Sequence, residues 1–234
     1  MDTSELLQDV ARLINSELEQ VKERRFDVEW KADGSPVTAA DRYLEQQIAA
    51  FLRSKIADLD FIGEETWVPG TTIGSGWRAV LDPIDGTENF CSGLKEWGTS
   101  LSLWRGETHA GSLLMMPELY EVMTTGNVPF VPRSRIVGFS SSYHPKIGEG
   151  VAALPEARIM GCAVYNLFNV IRGSFSRFIN PKGAKSWDLI AGVALAREAG
   201  CDVFVNDEEY NGQFLTPDQR HRVDIRHRYD LHSR

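Results

Sequence analysis

Six acidic side chains occupy settings in which they could hold metal ions. Asp33 lies in KADGSPVTAAD, Glu64 and Glu65 in FIGEE, Asp82 and Asp85 in LDPIDGTENF, and Asp188 in SWDLIAG. Each falls where a patterned apolar run meets a turn, and such element ends are where sites are built. In the run Asp82-Pro83-Ile84-Asp85, the proline fixes φ at the second position of a four-residue turn. That turn brings Asp82 and Asp85 together, so they can share one cation with the Ile84 carbonyl as a third hard oxygen. Gly86 lets the backbone come close to a ligand. A helix starting at Thr87 or Glu88 would turn free N–H groups toward an oxyanion. Glu64 and Glu65 would point to opposite sides of a continuing strand. Gly63 relaxes that geometry, so that one can ligate directly and the other through water. Taken singly, these acids also read as a surface turn, a solvated pair, a first-turn helix acid favoured by the dipole and a loop aspartate. Together they are hard oxygen ligands without a His or Cys cluster, a set that selects Mg2+ or Mn2+ over zinc. An EF-hand is excluded, because the carboxylates do not alternate and no Glu closes a twelve-residue loop.

Patterned elements are available to position these residues. Leu6, Leu7, Val10, Leu13, Ile14, Leu18 and Val21 recur at helical spacing, which predicts an amphipathic helix over 4–24. Thr38 with Asp41 three residues on predicts a capped start for a second helix, whose apolar face is Leu44, Ile48, Phe51, Leu52 and Ile56. FIGEE and WRAVLD read as strands entering the acidic loops. Residues 99–125 read as an antiparallel meander. The connector GNVPFVPRS is the expected seam between an N-terminal half, 1–130, and a C-terminal half, 131–234, which together make one catalytic unit. Beyond it RIVGFSSS reads as a strand and AVYNLFNVIRG as a helix stopped by Gly173. SFSRFIN is a strand, WDLIAGVALAREAG a helix closed by Gly200, and CDVFVN a buried strand. The Arg/His-rich tail QRHRVDIRHRYDLHSR reads as a solvated edge or a disordered end.

The 234 residues carry 42% hydrophobic content, enough for a real core, and a net charge of −8, which argues against nucleic acid as a partner. An acidic chain can still bind an anion through intervening divalent cations. Cys91, Cys162 and Cys201 are widely spaced and read as reduced thiols of a cytoplasmic protein. The start MDTSELLQDV lacks the basic and apolar blocks of a signal peptide. No apolar run approaches the ~20 residues of a membrane span.

With these segments in view, the chain resembles the inositol monophosphatase-like phosphatases, relatives of fructose-1,6-bisphosphatase. LDPIDGTENF is similar to the family's central signature and WDLIAGVALAREAG to its C-terminal one, with FIGEE and KADGSPVTAAD in the matching order; the resemblance runs from about residue 5 to residue 205. It implies an α+β fold layered as an αβαβα sandwich, a homodimer, and lithium-sensitive hydrolysis of a small phosphorylated metabolite with two or three Mg2+ ions, Mn2+ being an alternative. By the same resemblance Glu64, Asp82, the Ile84 carbonyl, Asp85 and Asp188 hold the metals, and Glu65 acts through a metal-bound water. Asp33 and Thr87 orient and deprotonate the attacking water, and the N–H groups of Gly86 and Thr87 take the phosphate.

Departures from the pattern concern the substrate. The acid that binds inositol hydroxyls a few residues before the Trp-Asp pair falls at Pro181, with Lys182 and Lys185 nearby. That weakens inositol as the substrate and admits one with extra negative charge. KADGSPVT and LKEWGTSLSL look more like the histidinol-phosphatase branch, and the former also like the bisphosphate nucleotidases. A glycine-rich hairpin is missing between Gly126 and Arg135, and the tail replaces an apolar strand. Ser140 and Tyr143, in SSSYH, are candidates for the substrate side. A non-catalytic relative that binds a phosphorylated metabolite is the alternative from another class, and six idle carboxylates count against it, because their repulsion costs stability.

Overall fold

A computed structural model describes residues 2–128, 134–140 and 144–228. Tyr143, residues 129–133 of the connector and the last six residues of the tail lie outside that range. The chain begins with α1 (Thr3–Glu23), whose N-cap Asp2 accepts a hydrogen bond from the Ser4 N–H, and continues through β1 (Val28–Trp30) and β2 (Pro36–Thr38) into α2 (Ala39–Lys55). β1 and β2 pair as an antiparallel hairpin with KADGS as its turn. The capping box predicted for Thr38 and Asp41 is present at the start of α2.

The next elements are β3 (Asp60–Gly63), β4 (Trp77–Asp85), the short α3 (Thr87–Cys91), β5 (Gly98–Arg105), β6 (Thr108–Met116) and β7 (Glu121–Thr124). They form a five-stranded sheet in the order β3-β4-β5-β6-β7, with β3 and β4 parallel and the rest antiparallel. Then come β8 (Val137–Phe139), α4 (Pro145–Ala153), β9 (Ala157–Ile159), α5 (Ala163–Ile171), β10 (Arg177–Ala184), α6 (Ser186–Glu198), β11 (Asp202–Val205), β12 (Glu208–Glu209) and β13 (His221–Arg226). These strands make a six-stranded sheet ordered β12-β11-β13-β10-β8-β9.

Packing gives the layers. α1 and α2 bury Leu7, Val10, Ile14, Leu44, Ile48 and Leu52 against Leu81, Leu101, Leu103 and Leu113 on one face of the five-stranded sheet. α5 and α6 fill the space between the two sheets, where Leu167, Phe168, Leu189 and Val193 join Val80 and Leu114 from one side and Phe178, Val203 and Ile225 from the other. Ile147 of α4 packs with Val137 and Phe139 on the outer face of the second sheet. The result is an αβαβα sandwich.

This layering explains two features that local pattern misreads. In β5 the Leu/Ser alternation suggests a half-solvated strand, yet Ser100 and Ser102 are fully buried, because helices cover both faces. Ser102 Oγ lies 2.9 Å from Ser112 Oγ and accepts from the Trp104 indole N–H at 2.8 Å, so its hydroxyl is satisfied in the core. The second feature corrects the reading of the tail as a solvated edge or disordered end. Its first part, HRVDIR, is β13, an interior strand bonded antiparallel to both β10 and β11. His221, Val223 and Ile225 point into the core while Arg222 and Arg226 are exposed, a period-two pattern that the high Arg and His content masks. No helix among the described residues is long and apolar enough to cross a membrane.

Candidate active site

Three of the four acidic segments deliver their acids to one place. β4 runs on through the DPID motif, which is a bulge against β5 with a register shift between Asp82 and Asp85, not a free turn. A bulge tolerates Pro83, which has no N–H to give to a ladder. Thr99 Oγ1 donates to the Pro83 carbonyl at 2.8 Å, and the Ile84 N–H donates to Asp82 Oδ1 at 3.0 Å, so the bulge is held from both sides. Asp82 is buried at the end of this strand. β3 lies parallel beside it and ends at Gly63, which puts Glu64 level with Asp82. Asp188 reaches the same point from the first turn of α6, where it accepts from the Lys185 N–H at 2.8 Å. Carboxylate oxygens of Glu64, Asp82 and Asp188 lie within 4.8 Å of one another. Asp85 stands beside them, with Oδ2 accepting from the Cys162 thiol at 2.8 Å and from the Val164 N–H at the start of α5.

Gly86 follows in a left-handed conformation, φ +84°, and a Cβ there would meet the Cys162 Cβ at 2.8 Å. Both facts demand glycine. The chain then turns into α3, and Thr87 Oγ1 lies 3.0 Å from the Ile84 carbonyl and 3.2 Å from Asp41 Oδ1. Asp41 is buried, and its other oxygen accepts from the Thr38 N–H at 2.8 Å and from Thr38 Oγ1 at 2.5 Å. The capping acid of α2 is thus also the carboxylate that meets Thr87.

The inositol monophosphatase family model matches residues 3–128 and 133–231. The chain belongs to the inositol monophosphatase family. Among curated members, the inositol-1-monophosphatase of Mesorhizobium japonicum is 30% identical over 209 residues, covering 79% of this chain and 76% of that protein. Staphylococcal inositol monophosphatase-1, solved as an inhibitory complex after a LiCl soak, superposes with a TM-score of 0.80 at 18% identity, over 97% of this chain and 90% of the other. An IMPase/NADP phosphatase solved with Mg2+ and phosphate superposes at 0.75 and 19% identity, over 95% and 92%.

Membership gives the remaining predicted residues a frame. Glu64 and Glu65 do not diverge, for the Lys31 ammonium donates to both, at 3.1 and 2.9 Å. Burial pulls that ammonium toward lower pKa, and the two glutamates outweigh burial and hold it above its ordinary value. Asp33 is exposed at the hairpin turn and bonded to Ser35, at 3.1 Å from its N–H and 2.7 Å from its Oγ. The acid that meets Thr87 is therefore Asp41, not Asp33. The sequence marks Asp41 only as a helix cap, and nothing local says that its second oxygen is spare. Glu45 was equally illegible. It is buried beneath Gly63, accepts from the Glu65 N–H at 3.0 Å, and sits where a Gly63 Cβ would come within 2.4 Å of its carboxyl carbon. Gly63 thus makes room for Glu45.

Ser140, Gly161, Cys162, Asn180 and Arg220 line a cleft of ≈ 140 Å³ together with Asp85 and Asp188. Lys185 does not line this cleft, and two of its three ammonium N–H groups donate to the carbonyls of Pro217 and Asp218, each at 3.1 Å. Lys182 is exposed on the bulge of β10 and does not line this cleft.

The electrostatics show what the cage lacks. Burial raises the Glu64 carboxyl to about 8, with Asp188 as the next cause, and raises Asp188 to about 7, helped by Asp85. Asp82 is pushed well up by burial and then by Glu64, Asp85 and Asp188. These acids resist joint ionisation, and a divalent cation among them removes the penalty. A buried acid with a raised folded pKa costs stability as pH climbs from its unfolded value near 4 to its folded value, at most about 1.4 kcal/mol per unit per group. In EDTA the protein is therefore expected to melt at lower temperature at pH 8 than at pH 6. Saturating Mg2+ should raise the melting temperature more at pH 8. Equal Mg2+ shifts at both values, by scanning fluorimetry, would show that the cage does not take the ion.

Proposed function

We propose that this chain hydrolyses a small phosphate monoester with Mg2+, in the manner of an inositol monophosphatase. The observation that carries the reading is the Thr87–Asp41 pair at the edge of an all-carboxylate cage. The donor set fits the metal: carboxylates at close quarters with the Ile84 carbonyl facing Thr87, and a cluster that, among the described residues, contains no His or Cys, the Cys162 thiol being a hydrogen-bond donor to Asp85. Glu64, Asp82, Asp85 and Asp188 would hold the ions, with Glu65 in support. When bound, Mg2+ neutralises phosphate charge, lowers the pKa of its water and stabilises the departing alkoxide.

The protein's own share is positioning and proton transfer. In the proposed relay the Thr87 hydroxyl gives its single hydrogen to Asp41 and not to the Ile84 carbonyl, the other acceptor in reach, and its oxygen takes the proton of an attacking water. That water forms the new P–O bond as the bond to the alcohol breaks, and Asp41 receives the proton through Thr87. Thr38 fixes Asp41 by two hydrogen bonds, leaving one oxygen for the relay. The N–H groups of Gly86 and Thr87 are the proposed phosphate donors, at the close backbone approach that Gly86 allows.

The test is phosphate release from inositol 1-phosphate, histidinol phosphate, fructose 1,6-bisphosphate and phosphoadenosine phosphate in parallel. At least one should turn over with Mg2+, stop with EDTA and be inhibited by lithium. No Mg2+-dependent release from any of them or from p-nitrophenyl phosphate would favour the non-catalytic, metabolite-binding reading instead.

A further inference from the structure

We infer that Arg220 is a specificity residue that reads a second anionic group on the leaving-group side of the substrate, so that the preferred phosphomonoesters carry a carboxylate or a further phosphate. This inference rests on the hydrolase reading above and names the substrate class of the same site.

Arg220 lines the cleft that runs from Asp85 and Asp188 past Ser140 and Asn180. Its guanidinium donates to the Gly183 carbonyl at 3.1 Å; it forms no ion pair within 4 Å among the described residues, and its charge acts on the nearby Asp188, lowering that carboxyl against burial. One of its five N–H groups is therefore spent on holding the side chain, and the others remain for a ligand. The backbone on either side is tied down. The His221 ring lies 2.9 Å from the Thr216 carbonyl, Lys185 clamps the Pro217 and Asp218 carbonyls, and the Asp218 carboxylate accepts from the Trp67 indole N–H at 3.1 Å. Arg220 then enters β13, an interior strand. The segment that carries Arg220 is thus fixed, and its exposed guanidinium is held by the one bond to the Gly183 carbonyl.

The opposite wall agrees in its chemistry. Asn180 Oδ1 is engaged by the Gly183 N–H at 2.9 Å, so the residue fixes the bulge that carries the Arg220 anchor. Ser140 lines the same cleft, and its Oγ is buried without a partner among the described residues. This end of the cleft thus sets a cation and polar side chains beside the carboxylates. The two lysines suspected from sequence do not supply the cation; Arg220, from the segment read as a solvated tail, does.

The experiment compares 2-phosphoglycerate with glycerol 2-phosphate, which differ by a carboxylate in place of a hydroxymethyl group. The parent should prefer 2-phosphoglycerate. Arg220→Gln, which keeps a donor for the Gly183 carbonyl, should lower kcat/KM for 2-phosphoglycerate by about tenfold to a hundredfold and leave glycerol 2-phosphate within about twofold. Arg220→Lys should restore part of the preference. Equal losses on both substrates, no loss on either, or no parental preference would overturn the inference. Calorimetric binding of both compounds to the Ca2+-loaded protein reads the same ratio without turnover. An Arg220-dependent binding preference in a protein that hydrolyses neither compound nor any phosphomonoester of the panel above sinks the hydrolase reading and keeps the anion site. Turnover without that preference sinks the anion site alone.

Discussion

Asp85→Asn is expected to lower kcat by on the order of a thousandfold while leaving the metal-free protein at least as stable as the parent. The two effects have one cause. Burial raises the Asp85 carboxyl to about 6, against the opposing hydrogen bonds from Cys162 and Val164, and Glu64 adds to the rise. The side chain is therefore held in the charged form at neutral pH at a cost that only a cation offsets. Asparagine keeps an oxygen for the Cys162 thiol and the Val164 N–H, so the start of α5 stays anchored. It turns an amide N–H2 toward the cage, where an anionic oxygen is required. Steady-state rates with Mg2+, and melting in EDTA, test both halves. Near-parental turnover would remove Asp85 from the proposed ligand set. A large loss of metal-free stability would mean that its role is structural.

The second large effect is expected at Asp41. Asp41→Asn should cost about a hundredfold or more in kcat/KM, whereas Asp33→Asn should stay within about twofold. The amide cannot accept from Thr38 with one end and from Thr87 with the other without presenting N–H2 to one of them, so either the cap or the relay fails. Loss of the cap alone costs about 1 kcal/mol of stability and leaves the rate of the folded enzyme intact, so the two failures separate in a melting curve. pH offers an independent check. Burial raises the Asp41 carboxyl to about 6, against the Thr38 hydrogen bonds. The relay needs the ionised form, so under saturating Mg2+, which keeps the cage carboxylates ionised, kcat/KM should fall as pH drops below about 6, up to tenfold per unit, and Asp41→Asn should lack that limb. A parental profile flat down to pH 5 would place the proton acceptor elsewhere.

These two residues also show where local pattern stops being informative. Asp85 is legible because its chemistry is written in adjacent residues: Pro83, Ile84, Gly86 and Thr87 constrain one another over a few bonds. The same holds for the helices at Thr3–Glu23, Ala39–Lys55 and Ser186–Glu198, whose caps and apolar spacing are local. The strands β3 to β7 follow from short apolar runs divided by turns. Asp41 and Asp33 lie eight residues apart with similar local settings, and what distinguishes them is the distance to Thr87, a contact across 46 residues of chain. Burial behaves in the same way. Ser100 and Ser102 look solvated until helices are seen on both faces, and His221 to Arg226 looks like a tail until β10 and β11 are seen on either side.

The amino-acid order alone therefore determined the candidate hard-oxygen ligands other than Asp33, most of the elements that carry them and, by resemblance, the αβαβα sandwich. Those properties depend on residue chemistry and on spacings of a few residues. Tertiary structure decided which aspartate meets Thr87, that Lys185 is spent on backbone carbonyls, and that Arg220 faces the substrate cleft. Each is a question of which of several equivalent side chains ends within hydrogen-bond reach of a distant partner. Packing of α5 and α6 between two sheets sets that distance, and no spacing along the chain encodes it.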